Sequence, residues 1–135
     1  WTGHLSNPIP STFVEGTTMQ YTIQIFEPAE GFAARTDPAL QADYWGGTMA
    51  YLNALKEAGV FVHGAGLQPP ATATTLRRAK GELVLHDGPV AETKEMLGGF
   101  FIVDVPDLDT AIRWASRFPD RPGVLVEVRP NLPKD

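Results

Sequence analysis

The sequence predicts an α+β fold, a ferredoxin-like split βαβ unit carrying an inserted β-hairpin. Three observations predict it. Extended and helical stretches follow one another as β-α-β, hairpin, β-α-β; the extended stretches alternate apolar and polar residues; and the two helical stretches repeat apolar residues at helical spacing. At 135 residues, 43% hydrophobic and 20% charged, the chain has the size and composition of one globular domain with a core of its own.

Residues 1–18, broken by Pro8 and Pro10 and without periodicity, read as an extended arm or an expression remnant, with the domain occupying 19–135. Met19, Tyr21, Ile23 and Ile25 alternate with Gln20, Thr22 and Gln24, the mark of a strand with one buried face. Thr36-Asp37-Pro38 supplies a capping side chain and a first-turn proline, and Trp45, Met49, Leu52 and Leu55 carry a helix to Gly59. Gly46 and Gly47 inside that helix cost roughly 1 kcal/mol each against Ala, so close approach to a strand or a partner chain is expected to offset them. Val60 to Val62 form a second strand ending at His63, and Gly64 to Pro70 form a loop. Thr72 to Arg78, a Lys80-Gly81 turn and Glu82 to His86 make a hairpin inserted in the main sheet. Phe100 to Val105 is the next strand. Pro106-Asp107 opens a second helix through Leu108, Ala111, Ile112, Ala115 and Phe118 that Pro119 ends, and Gly123 to Val128 closes the sheet. Two helices are too few to cover both faces of this sheet, so a homodimer is expected.

A net charge of -5 argues against nucleic acid, whose phosphates need Lys and Arg. The absence of cysteine excludes disulfides, thiolate metal sites and a Cys nucleophile. Three scattered histidines make no metal constellation, and no phosphate-cradling glycine motif is present, so neither metal nor nucleotide cofactor is expected. No apolar run has the length of a membrane span and no signal-peptide pattern is seen; the expectation is a soluble, cytoplasmic protein.

The densest group of functional residue types is His86-Asp87-Gly88-Pro89 with Glu92, Lys94 and Glu95, followed by Gly98-Gly99. Turn chemistry accounts for Asp-Gly-Pro and leaves the charged residues for a ligand or for solvent. His63, beside a glycine-rich loop, and Asp87 are the candidate acid-base pair, since His86 and Asp87, as neighbours on a strand, point to opposite faces. Glu127 and Arg129 share one face of the last strand; Arg129 is a candidate carboxylate clamp or half of a surface ion pair.

The run Gly66-Leu67-Gln68-Pro69-Pro70-Ala71-Thr72-Ala73-Thr74-Thr75, with Asp87-Gly88-Pro89, Glu92-Thr93-Lys94-Glu95, Leu97-Gly98-Gly99-Phe100, Asp104-Val105-Pro106-Asp107-Leu108-Asp109 and Glu127-Val128-Arg129-Pro130, resembles the DGPF family within the YCII-related superfamily. Val90 stands where that family usually has Phe. The resemblance implies a dimeric α/β-barrel-type assembly with a cleft near the dimer interface. In some relatives a His on the first helix and an Asp before a Pro after the second carry lyase or dehalogenation chemistry; the corresponding positions here are Thr48 and Phe118, so the pair is absent. Three readings follow: a dimeric module binding a small organic molecule, with Glu92, Lys94 and Arg129 as ligand-binding candidates; a cofactor-independent lyase or isomerase using His63 and Asp87; and an interaction module for transcriptional regulation, which rests on family context alone.

Overall fold

Alternation in the first strand sets the layer that the rest of the chain covers. In the computed structural model, which describes residues 17–133, strand β1 (Met19–Glu27) turns Tyr21, Ile23, Ile25 and Glu27 to a buried side. The following elements are α1 (Ala29–Ala34), α2 (Gln41–Glu57), β2 (Phe61–Gly66), β3 (Thr74–Ala79), β4 (Glu82–Asp87), β5 (Met96–Val105), α3 (Leu108–Ser116) and β6 (Leu125–Pro130). The four-stranded sheet has the order β2-β5-β1-β6 with every pairing antiparallel, as a split βαβ unit requires. Of the arm expected over 1–18, residues 1–16 lie outside the described residues.

The core lies between one sheet face and the helices. Ile23, Val103 and Val105 meet Leu55 of α2 and Ala111 of α3, all with no exposed surface. Tyr51 packs edge-on against Phe101 and Phe118, at 5.1 and 5.3 Å between ring centroids, and its hydroxyl donates to the Trp114 carbonyl at 2.8 Å. The second helix opens at Pro106-Asp107 as expected, and Asp107 caps it: its carboxylate accepts from Thr110 N at 2.9 Å and from Thr110 Oγ1 at 2.7 Å, and these bonds hold its carboxyl below the usual range.

Several elements differ from the sequence reading, each for a local reason. Asp37 accepts from Ala39 N at 2.8 Å and so closes a turn of its own; α2 begins later, at Gln41. The six-residue α1 is too short to show a period and went unpredicted. Within α2 the buried residues are Tyr44, Tyr51 and Leu55, while Trp45 and Met49 are nearly half exposed. Within this chain the near neighbour of Gly47 is a loop rather than a strand: a Cβ added there would lie 3.2 Å from Pro119 Cγ in the loop after α3. Gly64 to Gly66, expected as loop, belong to β2, because an edge strand tolerates glycine and its backbone comes close to β5; a Cβ at Gly64 would sit 2.8 Å from the Phe100 carbonyl oxygen. Met96 to Gly99 likewise extend β5 rather than the preceding loop. The hairpin is not part of the main sheet. β3 and β4 pair only with each other, turning through Lys80 and Gly81 with φ of 53° and 81°, the two positive values of a type I′ turn.

Gly88 follows the hairpin with φ 128°, is buried, and ties back through its N–H to the Ala73 carbonyl at 2.7 Å. A Cβ there would also approach His86 Nε2 to 3.3 Å, whereas Val90 is 89% exposed. Gly88→Ala is therefore expected to cost roughly 1 to 3 kcal/mol and Val90→Phe to stay within about 0.5 kcal/mol of the parent. Chemical denaturation of the two variants reads the difference directly, and equal midpoints would contradict it.

Candidate functional site

The register that buries Tyr21, Ile23 and Ile25 runs to the last residue of β1, and there it buries a carboxylate: Glu27 is 2% exposed. Taking an ion out of water costs several kcal/mol unless partners replace its hydration. Tyr44, in the first turn of α2, sets its hydroxyl 2.9 and 2.7 Å from Glu27 Oε1 and Oε2. Arg35, which caps α1, donates from Nη2 to Oε2 at 3.2 Å, and Arg121, in the loop between α3 and β6, approaches Oε1 with Nη1 at 3.5 Å.

Both guanidiniums are held from several sides. Arg35 Nε donates to Tyr44 Oη at 2.9 Å, Nη2 to the Gly98 carbonyl at 3.0 Å, and Nη1 to the Leu67 carbonyl. Arg121 Nη2 donates to the Tyr44 carbonyl at 2.7 Å and to Thr48 Oγ1 at 2.8 Å. The Arg121 guanidinium also stacks 4.1 Å from the centre of the Tyr44 ring, and that of Arg35 lies 4.7 Å from the Phe32 ring. Burial, and after it the bond to Glu27, pushes the Tyr44 phenol above its ordinary range, so it keeps its proton and remains a donor to the carboxylate. Among the described residues, no buried side-chain polar atom lacks a partner.

This network forms one wall of a cavity of about 230 Å³ between the sheet and α2. Glu27, Arg35, Tyr44 and Thr48 supply its polar side; Ile25, Trp45, Met49, Leu52, Phe61, Phe101 and Phe118 supply the apolar remainder. Its space depends on glycine at the sheet. A Cβ at Gly98 would fall 3.0 Å from Glu27 Oε2 and 3.1 Å from Arg35 Nη2, so the side chain missing there is the room the ion pair occupies. A concave apolar site with a few convergent polar groups is the usual form of a small-molecule site. Among the described residues, no three His, Asp or Glu side chains come together to hold a metal ion, and no helix is long and apolar enough to cross a membrane.

The residues singled out from the sequence lie elsewhere. His63 pairs with Ile102, whose neighbours Phe101 and Val103 are the ones buried in the core, so His63 is exposed on the opposite face of the sheet. Asp87 ends β4 in the separate hairpin, and it too is exposed. Glu92 and Lys94 are exposed in the segment before β5, and Arg129 pairs with Glu127 at 3.0 Å with 70% of its side chain in solvent. None of these five lines the cavity. Glu27, Arg35, Tyr44 and Arg121 were missed, although a carboxylate in the apolar register of β1 was a visible signal. Thr48 and Phe118, the positions to which the resemblance pointed, do both line the cavity.

A family model for the YCII-related domain matches residues 28–131. An uncharacterised protein of Rhizobium meliloti (strain 1021) is 48% identical over 59 residues, which cover 44% of this chain and 48% of that protein; the match thus spans about half the length of the curated relative.

Removing the carboxylate leaves two buried guanidiniums without their shared anion. Glu27→Ala is expected to cost roughly 3 to 5 kcal/mol by urea denaturation, and Arg129→Ala less than about 1 kcal/mol. Similar costs for the two would mean that the buried cluster contributes no more than a surface pair.

Proposed function

The chain belongs to the YCII-related domain family, and we propose that it acts there, as a DGPF-type member, by binding a small organic molecule in the cavity between the sheet and α2. One observation carries this reading: a fixed group of buried charges, Glu27 with Arg35 and Arg121, lies at the side of an otherwise apolar cavity. Structural ion pairs need no cavity, and a cavity left by imperfect packing needs no ions; together they resemble a site that orients a ligand. The placement of His63 and Asp87 on different sheets favours binding over acid-base catalysis by that pair.

The protein is further proposed to work as a homodimer joined through the sheet face that α2 and α3 leave open. Phe26, Phe100 and Ile102 lie on that face, partly buried and interleaved with Thr22 and Gln24. Pairing two such faces would cover them.

A thermal-shift screen of small aromatic and branched aliphatic compounds is expected to yield a saturable rise in Tm. Gly66 lines the cavity and an added Cβ there meets nothing within 4 Å, so Gly66→Val is expected to abolish that rise without lowering the protein's own Tm. A shift that persists unchanged in Gly66→Val would place binding elsewhere. Light scattering at micromolar concentration is expected to give the mass of two chains, and a monomer mass would remove the dimer.

A further inference from the structure

We infer that the ligand is a small monocarboxylate with an aromatic body, an assignment that rests on the cavity being a ligand site. The argument starts from charge. Two guanidiniums, Arg35 and Arg121, meet one carboxylate, Glu27, and among the described residues no second carboxylate is bonded to either, so the cluster keeps one positive charge in excess. The side chains of Arg35 and Arg121 are only 11% and 16% exposed, so water compensates that charge poorly, and an anion is the ligand whose arrival relieves it.

The donor inventory narrows the anion. A guanidinium carries five N–H groups; Arg35 uses four of them, on Tyr44, Leu67, Glu27 and Gly98, and the one that remains belongs to Nη1 on a residue lining the cavity. Arg121 lies behind Tyr44 and Thr48, does not line the cavity, and contributes charge rather than contact. A phosphate needs several free donors and brings a second charge, which this wall does not match. A cationic amine would have to compete for Glu27 oxygens already held by Tyr44, Arg35 and Arg121. One carboxylate beside Arg35, with its body among Met49, Leu52, Phe61, Phe101 and Phe118, satisfies both parts of the wall.

The test compares benzoate, benzamide and benzylamine, which share a ring and differ in charge, by calorimetric titration of the intact protein. Benzoate is expected to bind roughly tenfold tighter than benzamide, the difference between a charge-assisted and a neutral hydrogen bond, with benzylamine weakest. Arg121→Gln removes the surplus charge from behind the wall, so it is expected to bring the benzoate-to-benzamide ratio close to one; Arg121→Lys is expected to restore the ratio. A loss of fold would weaken all three probes together instead of moving the ratio, and the wild-type comparison needs no variant. Benzamide or benzylamine equalling benzoate, or a ratio unchanged in Arg121→Gln, overturns the charge assignment; if that binding is still blocked by Gly66→Val, the cavity remains the ligand site. No saturable binding by any of the three at millimolar concentration overturns both.

Discussion

Burial of the Glu27 carboxylate at the end of β1 is the constraint on which much of the remaining architecture depends. Its partners come from four separate places: the cap of α1, the first turn of α2, and the loop before β6 supply donors directly, while the Gly98 carbonyl of β5 holds Arg35 in place. An ion with 2% exposure cannot keep its charge cheaply unless all of these arrive together. The short helix α1 acquires its purpose from this requirement, since it brings Arg35 back over a residue only eight positions earlier. The absence of a side chain at position 98 suits the same requirement, because a Cβ there would crowd the pair.

What could be read from the sequence was whatever is decided locally. The period of β1, the Lys80-Gly81 turn and the helix start at Pro106-Asp107 each depend on residues a few positions apart, and each appears where expected. The helical boundaries drifted where two local signals competed: Asp37 looked like a helix cap and instead closes a turn. The site was hidden for the opposite reason. Glu27 and Arg121 are 94 positions apart, and Arg121 sits in a loop whose sequence, Pro119 to Gly123, announces only a break. The one legible clue was polarity in the wrong register, a glutamate at the fourth buried position of an alternating strand.

Glycine misled for a related reason. Gly64 to Gly66 and Gly98-Gly99 suggested loops around which His63 and the Asp87 turn would gather, because glycine is usually punctuation. Here β2 and β5 use it for proximity: a Cβ at Gly99 would stand 2.9 Å from the Ala65 carbonyl oxygen. Two glycine-bearing strands lying this close leave the space above them unfilled, and the cavity is that space, ringed by Phe61, Phe101 and Phe118. His63, on the strand but in the other register, faces away from it.

Thr48 and Phe118 line the same cavity and both bear on Arg121. By the resemblance, some relatives carry a His and an Asp at these two positions; here both line one cavity. What they do is different. Thr48 Oγ1 accepts from Arg121 Nη2 at 2.8 Å, and the Phe118 ring lies 5.2 Å from the Arg121 guanidinium. A threonine and a phenylalanine move no protons, but together they fix a cation by a hydrogen bond on one side and a π-face on the other. The polar character of the cavity thereby rests on Glu27, Arg35 and Tyr44 at its wall with Arg121 behind them, an arrangement of fixed charges suited to holding a ligand in one orientation.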